Sequence, residues 1–215
     1  MKTLLFWAIT VVGLSTATGQ YHLFSPRPTA EMRELSTDRP DQTESPYTVD
    51  AGHFQLEMDL LNWTRDKADG IRSDALSVAP FNLKLGLAQN TDLQLILETW
   101  TWQRERGRQQ STVRGMGDLT LRLKHNLWGN DDGSTALAIM PYVTIPTGAS
   151  DLGREKTEGG LILPFAWSMP NGLSLGLMTQ WDLIPTAGGG TQHAWFNTAT
   201  VGFDMTERLA GYVEV

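Results

Sequence analysis

A chain of 215 residues suits one domain, since all-β barrels commonly run past about 200 residues without dividing. It has no cysteine, which excludes a disulfide framework and a thiolate metal site. The net charge of −7 and pI near 5.0 argue against a nucleic-acid partner, which calls for a basic patch, and four scattered histidines (His22, His53, His125 and His193) leave little room for a metal site.

Residues 1–19 read as a secretory signal. Lys2 supplies the positive start, Leu4 to Leu14 an apolar run, and Ser15 to Gly19 small residues, with cleavage after Ala17 or Gly19 fitting equally well. The run is shorter than the ~20 residues a spanning helix needs, which argues against an N-terminal anchor. No later stretch approaches that length, and mean hydropathy is −0.25. A soluble chain has such a value, and so does a transmembrane barrel, whose strands are apolar on one face only.

Residues 20–52 are polar, with Pro26, Pro28, Pro40 and Pro46 spread along them. Proline removes a backbone donor, so the segment is expected to be irregular, either periplasmic or plug-like. From His53 the pattern turns to apolar/polar alternation with period two, the mark of half-buried strands. Phe54, Leu56, Met58 and Leu60 alternate with Gln55, Glu57 and Asp59; Phe81, Leu83, Leu85 and Leu87 with Asn82, Lys84 and Gly86. Leu119, Leu121 and Leu123 alternate with Thr120, Arg122 and Lys124, and Leu173 to Leu183 with Ser174, Gly176, Gln180 and Asp182. Weaker runs lie at 92–102, 135–146, 158–169 and 193–204, and a ninth begins near Arg208. The expected class is all-β.

The connections, at 65–74, 88–91, 103–116, 129–134, 147–157, 170–172, 184–192 and 205–207, alternate long and short. The short ones carry turn residues, as in Gly129 to Gly133 and Pro170 to Gly172. An up-and-down meander with its long loops at one end is the pattern of an outer-membrane barrel. Trp63, Trp100, Trp102, Trp128, Trp167, Trp181 and Trp195 fall near strand ends, where aromatic girdles meet lipid headgroups. The ninth strand stops at Val215 with no closing aromatic residue, so the barrel is expected to be incomplete at its C-terminus, with one to three further strands.

The stretch from Thr37 through Asp38, Arg39, Pro40, Asp41, Thr43, Glu44, Ser45 and Pro46 to the strand opening Gly52-His53-Phe54-Gln55-Leu56-Glu57 resembles the entry motif of the transporter family named for the MetA pathway of phenol degradation. The strand end Pro141 to Gly148 has the same texture. The resemblance implies an outer-membrane barrel that transports small molecules, aromatic compounds among them.

No catalytic, cofactor or metal site is expected. No histidine is placed by periodicity beside a serine or carboxylate. Asp38, Asp41 and Glu44 lack the pattern of a calcium loop and read as a solvated tail, and Gly188 to Gly190 as a loop tip. The expected lumen face is formed by Glu57, Asp59, Lys84, Gln94, Glu98, Arg122, Lys124, Gln180 and Asp182. Glu57, Lys84, Glu98 and Lys124 alternate in sign at similar heights, so a lateral ladder of ion pairs is expected. The ladder would either satisfy charges in a narrow wall or select solutes. Three readings follow: a channel or transporter for small molecules in membrane lipid, a structural or binding barrel with a filled lumen, and a secreted soluble β-protein.

Overall fold

The computed structural model describes residues 20–215 apart from 40, 69, 108–109, 150–151, 187 and 207–208, so the expected signal at 1–19 lies outside the described residues. Thirteen strands are present among them: β1 (Phe54–Met58), β2 (Leu61–Ala68), β3 (Ile71–Val78), β4 (Phe81–Ala88), β5 (Thr91–Leu97), β6 (Trp100–Arg106), β7 (Gln110–Gly115), β8 (Leu119–Trp128), β9 (Thr135–Ile145), β10 (Glu158–Ser168), β11 (Leu173–Pro185), β12 (Thr191–Thr206) and β13 (Leu209–Glu214). Helix is confined, among these residues, to 3-10 turns at Thr29–Glu31 and Pro170–Gly172. The protein is all-β, and every pairing between strands is antiparallel.

Nine strands form one sheet in the order β1-β4-β5-β8-β9-β10-β11-β12-β13, and β2-β3-β6-β7 form a second. The two are continuous in register. Met58 lies opposite Phe81 and, beyond a two-residue bend, Leu61 opposite Val78. Likewise Phe81 faces Leu97 while Val78 faces Trp100. The first eight strands are thus four long crossings, each creased at one level, and the chain makes nine crossings in all. Ala79, at φ 49°, sits in the crease of the second crossing.

Two expected long connections, 65–74 and 103–116, are instead mostly strand. In the first, charged residues read as loop pair: Arg65 Nε lies 2.6 Å from Asp74 Oδ1 across the ladder, and Arg72 Nε, on the same strand as Asp74, 3.1 Å from its Oδ2. Cross-strand charge pairing stabilises a polar hairpin that alternation of apolar residues cannot reveal. The expected connections at 184–192 and 205–207 shorten for the same reason of extended pairing, with Pro185 opposite Thr191 and Thr206 opposite Leu209.

Sidedness is inverted relative to a soluble sheet. One face buries Asn82, Lys84, Asp92, Gln94, Lys124, Asn126, Thr144, Thr198 and Thr200, alongside a small apolar patch of Met140, Ile162 and Met178. The opposite parity leaves Leu83, Leu93, Leu123, Trp167, Leu177, Trp195 and Val201 exposed. Trp181 stacks on Trp195 with ring centroids 6.0 Å apart, and Trp63 on Trp102 at 6.3 Å. Among the described residues the outer edges of the sheet stay apart: β1 pairs with β4 alone and β13 with β12 alone, and no closed barrel is formed by them.

It is nonetheless curled. The backbone of Asp38 donates to Glu57 on β1, and that of Thr43 donates to Glu214 on β13. Five residues reach at most about 18 Å. Nine strands laid flat at about 4.8 Å spacing would put their edges roughly 40 Å apart. Only a sheet wrapped around the segment allows both contacts.

Candidate functional site

The wrapped segment is a strap, residues 36–50, lying across the polar concave face. Its hub is Asp38, which is 6% exposed. Lys84 Nζ on β4 lies 2.5 Å from Asp38 Oδ2, and Lys124 Nζ on β8 lies 3.0 and 2.9 Å from the two carboxylate oxygens. Lys84 also pairs with Glu57 Oε1 at 2.5 Å, and Glu57 accepts from the Asp38 backbone at 3.1 Å. Gln55 Nε2 closes this group by donating to Glu57 Oε1 at 2.6 Å and to the Ser36 carbonyl at 2.9 Å. Burial alone would push the Asp38 carboxyl up, but the ammonium groups of Lys124 and Lys84 outweigh it and hold the carboxyl well below the usual carboxylate range.

Further pairs run along the strap. Arg39 Nη1 meets Asp59 Oδ2 at 2.5 Å, and Arg122 Nη1 is ion-paired with Glu44 Oε1. Thr37 Oγ1 donates to the Arg39 carbonyl at 3.0 Å, Ser45 N to Asp38 Oδ1 at 2.9 Å, and Asn126 Nδ2 to the buried Pro46 carbonyl at 2.9 Å. Thr43 Oγ1 lies 2.7 Å from Thr198 Oγ1, Thr200 Oγ1 and Glu214 Oε1. Farther along, Val49 N donates to Asp92 Oδ2 at 2.9 Å and Thr48 N to Asn130 Oδ1 at 3.1 Å. Backbone docks on backbone at Gly86. Gly52 N donates to the Gly86 carbonyl at 2.8 Å, and Gly86 N to the His53 carbonyl at 2.9 Å. A Cβ on Gly86 would fall 2.0 Å from the Asp50 carbonyl oxygen, so only glycine permits this approach.

The strap therefore corrects the reading of Asp38, Asp41 and Glu44 as a solvated tail. Asp38 and Glu44 are held by buried or half-buried cations, and the reason is tertiary: the wall offers lysine and arginine that irregular chain can reach. Pro40 of the motif lies outside the described residues. The lateral ladder is corrected too. Its Glu57–Lys84 rung is present at 2.5 Å, but Lys124 pairs with Asp38 of the strap rather than with Glu98, and Lys84 shares that same Asp38 carboxylate. Glu98 is exposed at the crease after β5, where it accepts from Thr101 Oγ1 at 3.1 Å. The bend takes it out of the row.

Gln94 is fully buried, 3.3 Å from Asn82 Nδ2 and 3.1 Å from Asp92 Oδ1. Gln180 and Asp182 stand apart from the strap, with Tyr142. Tyr142 donates to Asp182, and Gln180 Nε2 lies 2.8 Å from Asp182 Oδ1. Gly160 makes room for the Tyr142 ring, since a Cβ there would fall 2.7 Å from its Cε1. Asn82, Asp92 and Tyr142 were not among the expected lumen residues. Asn82 and Asp92 share the parity of Lys84 and Gln94, which was the available signal; Glu214, on the short last strand, had none.

The chain matches the protein family described as "Putative MetA-pathway of phenol degradation" over residues 37–214. It belongs to that family. The match to the phenol-degradation family opens at Thr37, the second residue of the strap, and closes at Glu214, the residue that grips the strap's middle. No curated protein and no solved structure matches the chain. Among the described residues no helix of this family member is long and apolar enough to cross a membrane, which says nothing of strands.

Proposed function

We propose that the chain is the wall and inner plug of an outer-membrane β-barrel that passes small molecules, aromatic compounds among them, after export by its N-terminal signal. The observation that carries this reading is the inverted sidedness: charged and amide side chains are buried on the concave face while leucine and tryptophan stand exposed on the convex one. In water such a surface is unfavourable, at about 25 cal/mol for each Å² of apolar area left exposed. In lipid it is the required arrangement, with an apolar band outside and a polar lumen within. Family membership supports transport and, through its name alone, aromatic solutes.

On this reading lipid is the partner of the convex face, and the strap fills the path that a solute would take. The role is passage, not catalysis. Full-length protein reconstituted in a planar bilayer is expected to give stepwise ion conductance, larger when residues 37–46 are deleted. A protein that stays monodisperse without detergent and never conducts, with or without the strap, would overturn the reading in favour of a secreted soluble protein.

A further inference from the structure

Beside the strap the concave face encloses a cavity of about 520 Å³. That volume falls within the ~300–1,000 Å³ of small-molecule sites. Strap and wall share its lining: Asp41 and Glu44 from the first, Trp63, Asn82, Ile96 and Arg122 from the second.

The open hydrogen-bonding positions in it are unequal in kind. The two cations on the lining are committed, Arg39 to Asp59 and Arg122 to Glu44. Asn82 is 4% exposed; its Nδ2 donates one hydrogen bond, to Gln94 Oε1 at 3.3 Å, and its Oδ1 is buried without a partner. Glu44 Oε2 is likewise buried without one. Among the described residues no cation pairs with Asp41. Burial pushes its carboxyl up, a hydrogen bond from its own backbone N–H opposes this, and its charged neighbours Glu214, Asp38 and Glu57 are all acidic and push it up further. Among the buried unpartnered atoms of the lining, two are acceptors, Asn82 Oδ1 and Glu44 Oε2, and one is a donor, Arg122 Nε; beside them stands the Asp41 carboxylate without a cation. A buried acceptor left unmet is unfavourable by about 1–3 kcal/mol, so the cavity is built to receive hydrogen-bond donors. An ammonium group offers three and no acceptor, and it brings the charge that Asp41 lacks. Trp63 and Ile96 offer an apolar wall, and an aromatic ring also attracts a cation.

We propose that this cavity is a binding subsite for a small organic cation, an amine carried on an apolar body, with Asp41 as its counter-ion and Asn82 and Glu44 as the acceptors that orient it. The inference rests on the concave face being a solute path and adds the charge class of the solute. An anion of the same size would meet the same acceptors unpaired.

Three probes of one shape separate the possibilities: benzylammonium, benzyl alcohol and benzoate, titrated calorimetrically into the full-length protein in detergent micelles at neutral pH. Benzylammonium is expected to bind tightest and benzoate weakest. Asp41→Asn should weaken benzylammonium about five- to tenfold, as for loss of one partly exposed ion pair, and leave benzyl alcohol unchanged. Asp132→Asn, on an exposed turn, should change neither. Asp41→Lys should reverse the order in favour of benzoate; because Asp41 pairs with no cation, neither Asp41 variant removes an ion pair that holds the fold. Equal binding of the three probes, tighter binding of benzoate, binding indifferent to Asp41, or no binding of any probe would overturn the proposal. Preference for benzylammonium in a protein that never conducts would leave the subsite standing and remove the channel; conductance without that preference would do the reverse.

Discussion

Asp38 shows how much one side chain can decide when it is buried among charges. Lys124 is fully buried, and the Asp38 carboxylate supplies its two short contacts. Removing one partner of a buried pair leaves the other charge uncompensated, typically at a loss of about 3–5 kcal/mol. Asp38→Ala is therefore expected to lower unfolding stability in detergent by that order, measured by chemical denaturation. Glu98→Gln, at an exposed position, should stay within about 0.5 kcal/mol. The pH dependence has a definite sign. The folded chain keeps Asp38 ionised below its ordinary value of 3.8, so its contribution is complete above that pH and fades as pH falls beneath it. Thermal unfolding of the wild-type protein should therefore drop more steeply below about pH 4 than that of Asp38→Asn. Equal slopes would show that Asp38 is not the group that titrates.

At the scale of elements, the strap is chain without regular structure that behaves as a fixed part because its backbone donors end on side chains of the wall. Substituting Gly86 tests this without touching any charge. Gly86→Val places a side chain where the Asp50 carbonyl now lies, and the strap must lift from β4. Limited proteolysis in micelles should then cut within 36–50, where the wild-type protein resists; unchanged resistance would mean that the other anchors hold it alone. The strands themselves were legible in the sequence wherever leucine alternated with polar residues, as in β4, β8 and β11. Parity there also identified Lys84, Arg122 and Lys124. It could not identify Asp38, because a proline-bearing segment has no period from which a facing direction follows. Nor could it identify most of β2, β3 and β7 or the second half of β6, where polar and charged residues replace apolar alternation, as in the Arg65–Asp74 pair across β2 and β3, and the same residues read equally well as loop.

For the whole molecule the decisive property is which side of the sheet faces which medium. Leu123 is 40% exposed on the convex face, between inward Arg122 and Lys124. If that face meets lipid near the bilayer midplane, Leu123→Arg should be unfavourable by about 2–4 kcal/mol, measured as the unfolding equilibrium in vesicles. The same substitution at Gln180, on the opposite side, should be far milder. Equal tolerance at both positions would remove the distinction between the two faces.

On the proposed barrel reading, the creased crossings have a bearing on how a solute would reach the concave face. Strand runs are not equal around the sheet: β9 and β10 have 11 residues each, while β3 with β4 occupies 71–88 and β7 with β8 occupies 110–128. A strand of ten residues or so is enough to cross a bilayer. If the sheet spans a membrane as proposed, the surplus above the crease would stand clear of it on one flank only, like a chimney cut on the slant. The low side lies at β9 and β10, where Ala149 N reaches back to the Met116 carbonyl at 2.9 Å and the connecting loop leans against the tall flank. A molecule arriving from outside would meet a parapet first and slide sideways toward the loop, so the angle of approach, rather than the bore alone, becomes a property that the sequence controls.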